Sequence, residues 1–161
     1  MSSRQPALTA PAILNRVDQA LVGFMAAYGV NLLRLAIALV YLWFGALKLV
    51  GASPAADLVV RTVFWLPPRT ALLFIGGWEV LIGVALLFAH PLILRAGLFL
   101  LWLQLLGTSQ VFILLPGTAF QHGNPLLPTL EGQYAIKNVV LITAGLVIGS
   151  RVRGLSGRAG P

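Results

Sequence analysis

The sequence predicts an all-α fold, a polytopic four-helix membrane bundle, and three observations predict it. Of 161 residues, 58% are hydrophobic and only 9% charged, whereas a soluble domain carries about 25% charge. Mean hydropathy is +0.92. Four apolar windows, residues 30–50, 71–89, 92–115 and 134–150, hold only five of the charged residues: Arg34, Lys48, Glu79, Arg95 and Lys137. Each window is close to the roughly 20 residues a helix needs to cross a hydrocarbon core of about 30 Å. An ordinary soluble enzyme is excluded, and the length allows one bundle without a separate soluble domain.

Residues 1–11, with Pro6 and Pro11, read as a mobile tail. Over residues 12–29, Ile13, Leu14, Val17, Leu21, Phe24 and Met25 recur at helical spacing, while Arg16, Asp18 and Gln19 take the other side. That pattern predicts an amphipathic helix lying at the membrane surface ahead of the first span. The bundle then occupies residues 30–150, and residues 151–161 form a basic tail. A cleaved signal peptide is not expected, because the first 29 residues lack an apolar run behind a basic start.

Between the first two spans, Ser53-Pro54 reads as a helix start and Pro67-Pro68 as its stop. Leu58, Val59, Val63, Phe64 and Trp65 lie between them, so a short interfacial helix is predicted. His90-Pro91 makes a tight turn between spans two and three. Residues 116–131, rich in proline and glycine, predict an irregular cap over the last connection. Seven of the eleven basic residues (Arg4, Arg16, Arg34, Arg95, Arg151, Arg153 and Arg158) fall on the side of the termini. Lys48, Arg61, Arg69 and Lys137 fall on the other. By the positive-inside rule both termini are expected in the cytoplasm.

The net charge of +7 does not point to nucleic acid, because the basic residues are scattered at helix ends with no recognition motif beside them. The partner it implies is the lipid bilayer. The chain has no cysteine, which removes thiolate metal sites and iron–sulfur clusters. His90 and His122 belong to opposite ends of the bundle, so no haem is expected between two helices, and no metal site is predicted.

Chemistry is therefore sought among polar side chains inside the spans. Arg34 and Arg95 lie near the start of their spans and can reach an interface by snorkelling. Glu79 lies near the middle of its span and is too short to do so. A lone carboxylate there is costly, so it needs a partner or a proton. Arg34, Ala38, Tyr41, Gly45 and Lys48 form one stripe of the first span, and Gly76, Glu79 and Gly83 share a face of the second. At 1.5 Å per residue, Lys48 lies roughly 12 Å outward of its span centre and Glu79 about 1–2 Å outward. Side chains lean toward their helix N-terminus, so in antiparallel spans these two reach toward each other. Lys137 lies roughly 7–8 Å outward in the fourth span, and Gln104 near the middle of the third. The expected polar cluster is Tyr41, Lys48, Glu79, Gln104 and Lys137, with Arg34 closing the inner end of the stripe. Trp43, Phe74, Trp78 and Trp102 are candidate walls for a quinone or lipid pocket.

The run from Leu32-Leu33-Arg34-Leu35 through Tyr41 and Trp43 to Phe44-Gly45-Ala46-Leu47-Lys48-Leu49 resembles the opening span of DoxX-type membrane proteins. Glu79, within Trp78-Glu79-Val80-Leu81-Ile82-Gly83, is similar to that family's second-helix motif. The segment from Gly132 through Lys137-Asn138 to Ala144-Gly145 resembles the branch containing bacterial reactive-chlorine-resistance membrane proteins. The resemblance implies a four-helix protein of a prokaryotic cytoplasmic membrane. Some members are subunits of thiosulfate:quinone oxidoreductase and others associate with redox-defence proteins. It implies functional roles for Arg34, Lys48 and Glu79, with Lys137 following from the resistance branch alone. Three functions stay open at this point. One is a redox-linked or stress-defence subunit that binds quinone and acts with a redox partner protein or as a homo-oligomer. The others are a small-molecule carrier and an assembly scaffold.

Overall fold

A computed structural model describes residues 10–156, and side chains from residue 13 to residue 152. Four helical stretches, Ile13–Leu49, Pro68–Leu87, Pro91–Leu114 and Leu130–Val152, are long and apolar enough to cross a membrane. Many large apolar side chains, among them Phe99, Leu106, Val139 and Val140, are more than half exposed. An apolar surface of this extent fits an integral membrane protein.

The first helix, α1, runs Ala10–Leu49 without interruption. This corrects the expected division into a surface helix over residues 12–29 and a separate span from residue 30. No proline follows Pro11 in this stretch and no residue has positive φ, so nothing in the backbone turns the helix at the boundary. The tail expected over residues 1–11 lies outside the described residues except for Ala10 and Pro11, which are helical.

The short helix α2, Ala56–Thr62, stands where the interfacial helix is predicted. The Ala55 N–H donates to Ser53 Oγ at 3.3 Å, tightening the turn that leads into it. Helix α3, Pro68–Leu87, and helix α4, Pro91–Ser109, both begin on proline, whose missing N–H costs nothing in a first turn. After α4 come α5 (Val111–Leu114), α6 (Pro116–Ala119) and a single 3-10 turn at Gln121–Gly123. Phe120 and Pro128 form one antiparallel bridge that closes this cap. The final span is divided into α7 (Leu130–Ile136) and α8 (Asn138–Ser156), with Lys137 at the break. Of the tail expected over residues 151–161, the described part continues α8 as helix to Ser156.

The long helices pack in a ring: α1 on α3, α3 on α4, α4 on α8, and α8 more lightly on α1. In lipid, helices gain little from apolar burial as such and hold together by close packing. Here small residues provide it. A Cβ on Gly45 would lie 2.7 Å from the Gly76 carbonyl oxygen, and one on Gly83 would lie 2.6 Å from Leu42 Cγ. The α1 and α3 backbones therefore meet almost directly. The core of the bundle centres on Ile82, Leu86, Leu94, Leu101 and Ile148. It lies toward the proximal end, where Arg34 and the α3–α4 turn sit. The distal end is covered by α2 and α5–α7.

Candidate functional site

The close α1–α3 seam places Lys48 against Glu79. Lys48 Nζ donates to Glu79 Oε2 at 2.6 Å, with 3% and 9% of the two side chains exposed. From α4, Gln104 Nε2 donates to the other carboxylate oxygen, Oε1, at 2.9 Å. Three helices thus converge on one buried carboxylate whose two oxygens are both occupied. A carboxylate and an ammonium in contact form a neutral unit, the form in which such charges are tolerated among apolar helices. Gln104 is itself 9% exposed, and its Oε1 is buried with no hydrogen-bond partner. Lys48 Nζ carries three N–H donors and spends one on Glu79. The cluster therefore retains both donors and an acceptor.

It also borders open space. A cavity of about 420 Å³ lies between α1 and α8, lined by Tyr41, Glu79, Gln104, Tyr134, Lys137 and Asn138 among others. Another of about 220 Å³ lies under α2, walled by Trp65, Phe74 and Trp78 and reaching Lys48, Glu79 and Gln104. A third, of about 410 Å³, leads distally from Lys48 between Asp57, Arg61 and Glu131. Tyr134 borders all three.

Of the six residues singled out in the sequence, Lys48, Glu79 and Gln104 are bonded together, and Tyr41 lines the adjoining cavity while only 6% exposed. Lys137 does not bond to Glu79. It is exposed at the rim of that cavity, with its Nζ 4.7 Å from the centroid of the Tyr134 ring, a cation–π distance. Arg34 is apart from the cluster altogether. Its Nη1 donates to the Phe88 carbonyl at 2.9 Å, capping the C-terminal end of α3, where free carbonyls favour a cation. The aromatic candidates divide: Phe74 and Trp78 line the cavity under α2, Trp43 is 64% exposed, and Trp102 packs over Gly145.

Tyr134 and Asn138 are functional candidates the sequence reading missed. Asn138 Nδ2 donates to Thr108 Oγ1 at 2.6 Å, tying α8 to α4 beside the cavity. The overlooked signal is Thr129, whose Oγ1 accepts the Gly132 N–H at 3.1 Å as an N-cap. Read as a helix start, it sets Tyr134 more than a turn inside the helix rather than at the first residue of the apolar window. Among the described residues no group of three His, Asp or Glu side chains is placed to hold a metal ion. Comparison of the chain with protein-family models, curated proteins and solved structures finds no match.

Proposed function

We propose that this is a multi-pass membrane protein of a prokaryotic cytoplasmic membrane that binds the polar head of a quinone at the Lys48–Glu79–Gln104 cluster and acts as a redox-linked or oxidative-stress-defence subunit. The observation that carries this reading is the unpartnered Gln104 Oε1 beside the spare N–H donors of Lys48, on two residues that line a cavity with apolar and aromatic walls. A quinone carbonyl accepts from Lys48. The hydroxyl of the reduced form donates to Gln104. Small-molecule sites commonly occupy about 300–1,000 Å³, mostly apolar with a few converging polar groups; the cavity that reaches both Lys48 and Gln104 is about 220 Å³, and that range is met only together with the adjoining cavity of about 420 Å³ beside Tyr41 and Gln104.

In this reading Glu79 exchanges a proton with the bound head and Lys48 orients it. The chain has no cysteine, and its two histidines stand apart, His90 at the α3–α4 turn and His122 in the distal cap. Electrons therefore pass to or from a partner protein. A carrier requires a polar path through both halves of the bundle. The proximal half is instead filled by Ile82, Leu86, Leu94 and Leu101, each 1% exposed or less. That packing favours a one-sided site over a through-path. Purification in mild detergent, with quinone extraction and identification of co-purifying proteins, tests the proposal. Bound quinone and a redox partner are expected. A lone, quinone-free protein that takes up no added quinone contradicts it.

A further inference from the structure

Helix α1 is too long for the bundle it belongs to. Its 40 residues extend about 60 Å, twice a hydrocarbon core of about 30 Å. Residues 13–28 are all exposed, and packing onto the other helices starts only around Val30 and Leu33. About 24 Å of helix therefore projects past the proximal end.

The projecting part is not polar. Leu14, Val17, Leu21, Phe24 and Tyr28 are each more than half exposed and alternate at spacings of three and four, the seam of a two-stranded coiled coil. At 100° per residue, Leu32, Leu35 and Leu39 prolong the same face into the span. It adjoins the α1 face that packs on α3: Leu42, about five turns on from Phe24, lies against Gly83, while Tyr41 and Lys48 are on the far side. Asn15, Arg16 and Gln19 lie away from the seam, and Asp18 lies at its edge.

We propose that this stripe is the interface with a second copy of the chain, the two α1 helices running parallel about a two-fold axis normal to the membrane. Copies inserted in one bilayer share an orientation, so α1 meets α1 in parallel and each seam residue faces its own counterpart. Leu14, Leu21 and Phe24 pair with themselves, while Arg16 stays on the outer side and no like charges meet in the seam. The area is sufficient. Phe24, Tyr28 and Trp43, all on this face and more than half exposed, have surfaces of about 150–250 Å² each. They alone leave on the order of 300 Å² per copy to cover, against about 1,000 Å² in total for a specific interface. Six aliphatic side chains of the same stripe, from Leu14 to Leu39, supply the rest. Lipid tails cover the part within the bilayer but do not extend along a 60 Å helix. The inference rests on the membrane reading and is independent of the ligand.

The absence of native cysteine makes the test clean. Leu21→Cys, Phe24→Cys and Gln19→Cys are introduced singly into the full chain, and native membranes are treated with a mild oxidant. The first two are expected to give a disulfide-linked dimer in most of the protein and Gln19→Cys little or none, because a disulfide needs Cα atoms about 4.4–6.8 Å apart. A Leu21→Glu, Phe24→Glu double variant is expected to halve the mass of the protein measured by light scattering in detergent, with its helical circular dichroism unchanged. Equal cross-linking at all three positions overturns the proposal. So does a wild-type protein of monomeric mass, or quenching of the projecting segment by lipid-borne probes with no cross-link at Leu21 or Phe24.

Discussion

In the proximal half of the bundle, Leu86, Leu94, Leu101 and Ile148 meet with 1% exposure or less, and Arg34 serves a helix end at Phe88. In the distal half, the same helices enclose Lys48, Glu79 and Gln104 and leave cavities around them. Helices α4 and α8 end or break at Gln110 and Lys137 on that side, whereas both are regular through the proximal core. Close packing stabilises a structure but leaves no room for a ligand. Close packing marks the proximal half and, as proposed, ligand binding the distal one, and variants in each half separate the two.

The largest expected effect is at Glu79. Glu79→Ala strands the Lys48 ammonium among apolar groups, a change that costs about 3–5 kcal/mol where a buried pair is broken, read by thermal unfolding in detergent. Replacing both partners, Lys48→Met with Glu79→Leu, is expected to recover most of that loss, because paired apolar groups of similar size restore packing. It is also expected to abolish quinone binding. Recovery of stability together with full binding would show that the pair only joins two helices.

Leu101→Ala in the proximal core is expected to cost about 2–5 kcal/mol by opening a cavity, with quinone binding unchanged. A parallel loss of binding would mean that the two halves are not separable. Gln104→Leu comes next. It removes a hydrogen bond to a charged group, worth about 1.5–3 kcal/mol, and the orphan acceptor with it. Its affinity for quinone is expected to fall about tenfold, the equivalent of roughly 1.4 kcal/mol. Arg34→Met should matter least. Loss of a cation at a helix C-terminus costs about 0.3–1 kcal/mol, and the quinone isotherm should not move.

The helices and the central contact were legible in the sequence for physical reasons. Apolar windows of spanning length mark the four helices long and apolar enough to cross a membrane. The rise per residue and the lean of side chains toward the N-terminus bring Lys48 to Glu79 across antiparallel helices, and Gly45, Gly76 and Gly83 make that approach close. What escaped depends on long-range packing or on local breaks. Lys137 keeps helical φ/ψ, at −56° and −20°, yet ends α7 and points outward over Tyr134. No glycine or proline adjoins it to signal the break. Arg34 finds the end of α3, a partner 54 residues away that no periodicity reveals. The continuity of α1 escaped because polar residues on one side of a helix look alike whether that helix lies on a membrane or stands clear of it. Tyr134 escaped because, with the Thr129 cap passed over, it stood at the first residue of its window instead of inside the helix.

Ligand binding at the distal cluster is the central proposal, and Trp65 and Trp78 line one of its cavities. Titration of a short-chain benzoquinone against tryptophan fluorescence, in wild type and in the Lys48→Met, Glu79→Leu double variant, tests it most directly. Saturable quenching in wild type that vanishes in a stably folded double variant is the predicted result. Identical isotherms for the two proteins, or no saturation in wild type, would contradict it.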